Sequence, residues 1–465
     1  MNDQPCPSAR RRRGHRDVSE GVLIAALLLS IAAAFGCERY ERRPLDLDAA
    51  RSDWLERSLV EASVLSYEKE TGVFDPSDGL SLAEAEAVLL VFNAPLRLAR
   101  LEAGVARATA KHAGQWVDPV LGVDLERIVS GGGGGWVTGT VLGLTIPISG
   151  RLEAEKALAG AELAVALDRL AALEWATRAA LRERWIEWSA ARLEADLLAE
   201  LIERLGEAAS LAERQLEAGA MTRVSARLFR VELAGREADL ISLQAHVLEL
   251  ELHLRDMLGL VPHSPLTLVP SVSFAARATE ADTLRELLET SNPELAAVRG
   301  AYEVAERALR TEVRRQYPDV TIGPGYGSDQ GDRRILLGLS VPVPLVNRNQ
   351  QGIAMAQARR EVERGRFATT YEHLSSQLAI ALMRLEAGRA QRSAVETSVI
   401  PLAGEQEADV RRAASLGRVE PLLLLEALKS QHDAQVRFVQ ARAAEALGAI
   451  RLDELIGPPS HRSAD

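Results

Sequence analysis

The stretch Leu142-Gly-Leu-Thr-Ile-Pro-Ile148 recurs as Leu337-Gly-Leu-Ser-Val-Pro-Val343, 195 positions further along the chain. Two other pairs of short segments recur in the same order at nearly the same spacing: Asn93-Ala-Pro95 with Asn292-Pro293, and Glu217-Ala-Gly219 with Ser415-Leu-Gly417. Ordered markers at a nearly constant offset indicate a tandem duplication. We place the first repeat over residues 81–275 and the second over residues 280–457.

Each repeat has the same predicted order of elements. It begins with a segment rich in Ala, Leu, Glu and Arg, at 81–114 and again at 283–316, which predicts a helix. Alternating apolar residues around glycine-rich turns then predict a β-hairpin, and proline ends each returning strand. The predicted hairpins lie at 119–147 and 319–343, with turns at 131–135 and 323–331 and closing prolines at Pro147 and Pro342.

Very long helices complete each repeat. The chain has no proline between Ile148 and Val261, which predicts a helix from Arg151 to Glu217, about 100 Å long. Its duplicate runs from Gln350 to Leu416, where Pro401 should kink or divide it. Partner helices return to form the helical hairpins 151–258 and 350–455, with reversals at Gly219 and Gly417, where glycine permits a positive φ.

These elements predict a mostly α protein with a small β part. Helices of this length must pack side by side as coiled coils, and a narrow apolar stripe predicts oligomerisation. A two-stranded hairpin is marginal alone in water. The four strands either join strands of other copies in a closed membrane barrel or form a soluble β cap.

The N-terminus predicts an export signal over residues 1–36. Arginines at 10–13 precede an apolar stretch from Gly21 to Gly36, which is short for a spanning helix. Ala34-Phe-Gly-Cys37 resembles a lipobox, in which Cys37 would be acylated, although ordinary cleavage nearby and a retained anchor helix are alternatives. We expect an extended segment over residues 37–80 and a disordered tail over residues 458–465.

Composition excludes several functional classes. The chain carries a net charge of −11 and 47% apolar residues, which argues against a nucleic-acid binder and against a disordered protein. Its only cysteines are Cys6 and Cys37, so a disulfide framework is excluded from the main body. The eight histidines form no HExxH motif, and His246 and His253 are better explained by packing or surface positions. We expect neither enzymatic activity nor a metal or cofactor site.

The repeated helix, hairpin and helical-hairpin unit resembles the TolC-type outer-membrane efflux factors. The segment Leu339-Ser-Val-Pro-Val-Pro-Leu-Val-Asn-Arg-Asn-Gln-Gln-Gly352 is most similar to the heavy-metal subgroup of CzcC/CusC-like channels. The resemblance implies a homotrimer in the outer membrane, with twelve strands in one shared β-barrel and a helical tunnel in the periplasm. It also implies a periplasmic adaptor and an inner-membrane RND-type pump, with the channel acting as a passive exit duct.

The resemblance places a gate at the hairpin tips, where the family commonly has an aspartate but this chain has Ser225 and Leu423. We therefore expect inter-hairpin ion pairs there, with solvated helix charges as the alternative. The candidate tip residues are Gly219, Arg223, Arg227, Gly417, Arg418, Glu420 and Glu426. The candidate barrel–tunnel junction residues are Pro147, Pro342, Pro344, Asn347, Arg348 and Gly352, of which Asn347 and Arg348 should cap a long helix.

Two other functional classes fit parts of the sequence. A periplasmic adaptor also contains a helical hairpin and a lipid anchor, but it has one hairpin where this chain has two. A lipid-anchored coiled-coil scaffold without a pore is the second alternative, and conductance in planar bilayers separates it from a channel.

Overall fold

The computed structural model describes residues 40–57, 59, 79–127, 129–130, 136–278, 280–329, 332–415 and 420–459. Its described residues form long helices and one small antiparallel sheet, as the sequence predicts. The chain divides into a sheet unit, which contains residues 116–149 and 317–345 with the residues up to Ser52, and a helical unit, which contains the rest. Each unit draws segments from both repeats, so the spatial units differ from the repeats.

The bounds of the elements follow the duplication. The helices are α1 (Leu47–Leu55), α2 (Leu82–Phe92), α3 (Ala94–His112), α4 (Arg151–Glu217), α5 (Arg223–Met257), α6 (Ala281–Ser291), α7 (Pro293–Arg314), α8 (Gln350–Ala394), α9 (Ile400–Ser415) and α10 (Pro421–Ile456). The strands are β1 (Val120–Arg127), β2 (Trp136–Ile146), β3 (Val320–Asp329) and β4 (Asp332–Ser340), which lie in this order in the sheet. The predicted 67-residue helix is present as α4 with the predicted ends.

The N-terminal segment differs from its prediction, because α1 is helical where an extended chain is expected over residues 37–80. The Asp46 carboxylate accepts hydrogen bonds from the backbone N–H groups of Asp48 and Ala49, at 3.0 and 3.1 Å. An aspartate that accepts from the first free N–H groups stabilises the start of a helix. Asp46 is visible in the sequence as a possible helix cap, but one capping residue is a weak signal in a segment with no buried apolar face.

The first helical segment of each repeat is broken at an asparagine, where one continuous helix is predicted. The Asn93 side chain accepts from the Leu96 N–H at 3.1 Å and donates to the Met257 carbonyl at 2.8 Å. Asn292 caps α7 in the same way and donates to the Leu455 carbonyl at 2.8 Å. The recurring asparagine therefore starts a helix and also binds the end of the helix that returns to it.

Gly259 ends α5 with φ +66°, and a Cβ there would lie 2.3 Å from the Phe92 carbonyl oxygen. Gly219 has a similar φ of +73° but open space around it. We expect Gly219→Ala to cost about 1 kcal/mol, from backbone strain alone. Gly259→Ala should cost at least about 2 kcal/mol more, because the backbone must also move. Equal shifts in denaturant midpoint would contradict this account of Gly259.

The helical unit has its core along α4, which packs against α3, α5, α7 and α10. One apolar cluster, centred on Trp185 and Leu254, belongs to the first repeat. Another, centred on Leu288 and Leu452, belongs to the second repeat. Two further clusters line the contact between α4 and α10, and therefore join the repeats.

The second long helix is divided before Pro401, as predicted. A π turn over Val395–Val399 separates α8 from α9. Proline cannot donate the usual hydrogen bond to the residue four positions earlier, and its ring would clash with that carbonyl. The wider π turn before Pro401 accommodates the missing hydrogen bond and the proline ring. The first repeat has no counterpart within α4, which runs without interruption.

Candidate functional site

The sheet has one apolar face, defined by the register of its four strands. Side chains alternate between the two faces of a strand, and the pairing aligns these alternations across the sheet. The members of the apolar face include Leu121, Val123, Leu125, Trp136, Leu142, Leu144, Ile322, Tyr326, Ile335, Leu337 and Leu339. Leu337 is 80% exposed and Ile335 is 90% exposed in the single chain. A large exposed apolar surface indicates contact with lipid or protein.

The opposite face, here called the glycine face, is rich in glycine and charged residues, and its apolar members are Val120, Val137, Val141 and Leu336. It contains Gly122, Gly139, Gly143, Gly323, Gly325, Gly327 and Gly338, together with Asp124, Glu126, Asp329, Asp332 and Arg334. Thr145 and Thr321 share a hydrogen bond of 3.1 Å between their hydroxyls on this face. The two faces therefore suit two different environments, one apolar and one aqueous.

The prediction of a turn over residues 323–331 is wrong, because β3 continues to Asp329. The three glycines at 323, 325 and 327 alternate with Pro324, Tyr326 and Ser328, which is the period of a strand. A Cβ at Gly325 would lie 2.7 Å from the Thr140 carbonyl oxygen. Glycine is needed here for the close approach of β2, rather than for a turn.

The candidate junction residues follow β2 and β4 or lie at the start of α8. Pro147 follows β2, and Pro342 and Pro344 follow β4, where they end the ladder. Predicted capping by Asn347 and Arg348 side chains is wrong. Asn347 supplies only its backbone carbonyl, which accepts from Gln350 N–H at 3.0 Å, and Arg348 has a φ of +39°.

Asn349 immediately precedes α8, and its side chain binds a neighbouring helix instead of capping its own. Its φ is +52°, and its side-chain amide donates to the carbonyl oxygen of Glu312 at 2.9 Å and to the carboxylate of Glu312 at 2.7 Å. A Cβ at Gly352 would lie 2.6 Å from both Asn349 and Glu312 side-chain oxygens. This contact fixes the start of α8 against the end of α7.

The first hairpin tip reverses at Gly219. The N–H of Ala220 donates to the Gln215 carbonyl at 2.8 Å, and Thr222 accepts from the Ser225 N–H at 3.2 Å. These bonds satisfy backbone groups at the end of α4 and at the start of α5 across a connection of five residues. Gly417 and Arg418, the corresponding candidates of the second tip, lie outside the described residues.

The charged tip candidates do not pair with each other in the single chain. Arg223, Arg227, Glu420 and Glu426 are exposed, and the described part of the chain shows none of them within 4.0 Å of an opposite charge. Ion pairs between the hairpins exist farther from the tip. They join Arg204 of α4 to Glu407 of α9 at 3.2 Å, and Lys429 of α10 to Glu232 of α5 at 3.7 Å.

A buried charge network joins the two repeats, and no pattern in the sequence indicates it. Arg182 of α4 binds Glu86 of α2 at 2.5 Å and Asp453 of α10 at 2.8 Å. Asp453 is also bound by Arg277, from the connection between the repeats. The Asp453 side chain is only 4% exposed. We call these four residues the Arg182 network.

Aromatic rings cover the guanidinium of Arg182. Its Cζ lies 5.3 Å from the ring centre of Trp175 and 5.2 Å from that of Phe274, within cation–π range. Burial disfavours the charge on Arg182, but the hydrogen bonds and charges of Glu86 and Asp453 outweigh it and raise the pKa of the guanidinium. The four members come from positions far apart in the chain, so no local pattern could predict their contact.

The remaining sequence candidates carry no assembled site in the described residues. No group of three or more His, Cys, Asp or Glu side chains is positioned there to hold a metal ion. Cys37, the candidate lipid anchor, lies outside the part that the structure describes. Among the helices described, none combines the length and apolarity that a membrane-spanning helix requires.

The chain is similar in sequence to a characterised resistance protein. It is 23% identical over 251 residues to the cobalt-zinc-cadmium resistance protein CzcC of Cupriavidus metallidurans, which covers 54% of this chain and 60% of that protein. The match therefore spans about three fifths of the relative's length. No protein-family model matches the chain.

Solved structures of outer-membrane proteins share the fold. The CusC transmembrane channel superposes with a TM-score of 0.67 at 15% identity, covering 81% of this chain and 92% of that one. The outer-membrane protein VceC of Vibrio cholerae gives 0.68 at 18% identity, over 81% and 96%. The outer-membrane channel OprN gives 0.69 at 16% identity, over 91% and 98%. The resemblance to the TolC-type factors is confirmed at the level of the fold.

Proposed function

We propose that the chain is the outer-membrane channel of a tripartite efflux system. It would provide a passive exit duct for solutes delivered by an inner-membrane RND-type pump through a periplasmic adaptor. The observation that carries this proposal is the sheet, whose apolar face suits lipid and whose glycine face suits water. A duct of this kind needs no covalent chemistry, because a continuous aqueous path lowers the barrier to a hydrated solute.

The internal duplication supports assembly into a closed ring. In one chain the first repeat meets the second through β2 with β3, α4 with α7, and α4 with α10. If the second repeat of one copy meets the first repeat of the next copy in the same way, the contacts repeat between chains. The elements β4, α8 and α9 of one copy would then join β1, α3 and α5 of the next. Three copies would then bring twelve strands into one barrel, in which no strand edge is left unpaired.

Helix α3 has an exposed face that fits this junction. Leu98, Leu101 and Val105 are 58%, 71% and 68% exposed, opposite the face that buries Leu96 and Ala103. The corresponding positions of α7, 199 residues later, are Ala297, Gly300 and Val304.

In α7 this face packs against α4. Ala297 is buried, and a Cβ at Gly300 would lie 2.8 Å from Val165. We therefore assign the exposed face of α3 to α8 of a neighbouring copy, because α8 is the second-repeat counterpart of α4.

The cargo class follows from the relative and the glycine face together. The name of CzcC records resistance to cobalt, zinc and cadmium. Asp124, Glu126, Asp329 and Asp332 place four carboxylates on the glycine face, against Arg334, which binds Asp329. A bore with an acidic excess favours cations through its potential. We propose divalent heavy-metal cations as a cargo, with discrimination between metals left to the partner pump.

Adjacent residues of β4 provide a test of the sheet's environment. Leu337 lies on the apolar face and Leu336 on the glycine face. An arginine on a lipid-facing strand costs about 2–4 kcal/mol near the middle of a bilayer. We expect Leu337→Arg to reduce the amount of protein recovered in outer membranes several-fold, whereas Leu336→Arg should be recovered like the wild type. Equal recovery would mean that the apolar face does not meet lipid.

Conductance in planar bilayers tests the function directly. The purified protein should form long-lived, cation-selective channels, and Asp124→Asn with Glu126→Gln should shift the reversal potential in a salt gradient towards zero. A detergent-dependent protein that never conducts would favour the alternative, a lipid-anchored periplasmic scaffold or adaptor without a pore. Labelled palmitate incorporation that persists in Cys37→Ser would separately remove Cys37 as the lipid anchor.

A further inference from the structure

Between Leu425 and Ala446, the buried residues of α10 are apolar except for His432. Leu425 and Leu428 join the apolar cluster nearer the hairpin tip, and Ala443 and Ala446 join the next cluster along the helix. His432 lies between these two groups and is 9% exposed. A polar group at such a position costs stability unless its hydrogen bonds are satisfied.

The imidazole of His432 is only partly satisfied. Its Nδ1 is buried without a hydrogen-bond partner among the described residues. A hydrogen bond with the backbone of Leu197 on α4 favours the protonated form of the ring. A second proton would create a donor at the buried Nδ1 with no acceptor and would add a charge to a largely buried ring.

Charged groups approach His432 from the elements packed around it. They are Glu200 on α4, Arg236 on α5, and Asp433 on α10 itself. Glu200 binds Arg204 at 2.5 Å, and Arg204 also binds Glu407 of α9. Arg236 binds Glu232 at 2.8 Å, which in turn meets Lys429. Of the two carboxylates near the ring, Glu200 is therefore shared with Arg204, which weakens its support for an imidazolium.

We propose that His432 is an acid-sensitive contact between the two helical hairpins. The neutral imidazole packs in the apolar strip between α10 and α4, whereas the imidazolium loosens α10 from α4. The inference rests on contacts within one chain, so it stands or falls separately from the proposed channel function.

The direction of the pH effect follows from the histidine. Burial, more than the opposing effects of Asp433, Leu197 and Glu200, lowers the pKa of His432. The folded chain then binds fewer protons at this site than the unfolded chain does. Stability should be constant above about pH 6.5 and should fall as the pH drops below it.

Hydrogen exchange of the full-length protein in detergent tests this proposal. Peptides covering Leu425 to Val439 should lose protection below about pH 6.5, by up to about tenfold per pH unit after correction for the intrinsic rate. His432→Leu should abolish that loss, because leucine continues the apolar strip. His246→Leu is the matched control, since His246 is exposed on α5 and its replacement should leave the loss unchanged.

The opposite end of α10 provides an internal reference. Burial and the nearby charge of Glu454 raise the pKa of Glu183, so the folded chain binds more protons there and acid should stabilise that contact. If Leu425 to Val439 lose protection equally in the wild type and in His432→Leu, or lose none in the wild type, the proposal is overturned. Should His432→Leu fail to fold, His432→Gln removes the same titration and must give the same flat profile.

Discussion

Replacing Leu98, Leu101 and Val105 of α3 together by glutamine is expected to abolish assembly of the proposed trimer. These side chains are exposed in the single chain, and we assign them to α8 of the neighbouring copy. Burying a leucine or valine contributes about 1.5–3 kcal/mol, so three of them contribute on the order of 5 kcal/mol per subunit contact. This binding energy is lost at each of the three subunit contacts of the ring, so the losses add up over the whole assembly.

Light scattering coupled to chromatography in detergent would measure this effect. The triple variant should elute with the mass of one chain, while the wild type elutes with the mass of three. Arg107→Gln, elsewhere on the circumference of α3, and the conservative Leu101→Met are controls that should keep the wild-type mass. A triple variant that remains trimeric would show that this face of α3 is not a subunit contact.

Removing the Asp453 carboxylate is expected to destabilise the helical unit by about 3–5 kcal/mol. Asp453→Ala leaves Arg182 and Arg277 without their shared partner, and Arg182 is 12% exposed with Trp175 and Phe274 over its guanidinium. Arg182 keeps its pair with Glu86, but the bonds that Asp453 supplied are lost inside the fold, where hydration cannot fully replace them. The Arg182 network also connects α2, α4 and α10, so its loss should loosen the contact between the repeats.

Denaturant unfolding followed by far-UV circular dichroism would measure this cost. Asp409→Ala is the matched control, because Asp409 is 75% exposed and meets Arg412 at 3.6 Å. Such an exposed pair contributes about 0–1 kcal/mol. Asp453→Asn keeps the shape of the side chain and should lie between the two. An Asp453→Ala midpoint as close to the wild type as that of Asp409→Ala would mean that the network does not hold the repeats together.

The elements that the sequence predicted well are those with a strong local signal. The proline-free run after Ile148 predicts α4 because its alanines, leucines and glutamates favour a helix regardless of tertiary contacts. Pro401 predicts the interruption of the second long helix because its ring excludes a regular turn in any context. The repeat markers Asn93 and Asn292 are equivalent in the structure, where each caps a helix through a bond to the N–H three residues later, although the composition around them predicts one continuous helix.

The parts that sequence reasoning missed depend on contacts between distant segments. The glycines at 323, 325 and 327 predict a turn when the local sequence is considered alone. Their role in a strand depends on the pairing of β3 with β2. Asn349 turns away from its own helix because Glu312 lies within reach of its amide. Among the described residues, the ion pairs that join the hairpins nearer the tips use Arg204 and Lys429 instead of the tip candidates, because opposite charges face each other there.

Single-particle imaging of the detergent-solubilised protein, without imposed symmetry, tests the central claim most directly. The account predicts particles with three copies around one axis, a twelve-stranded barrel in the detergent belt, and β4 of each copy paired with β1 of the next. A particle of one copy, with both outer strands of its sheet unpaired and no enclosed bore, would contradict it.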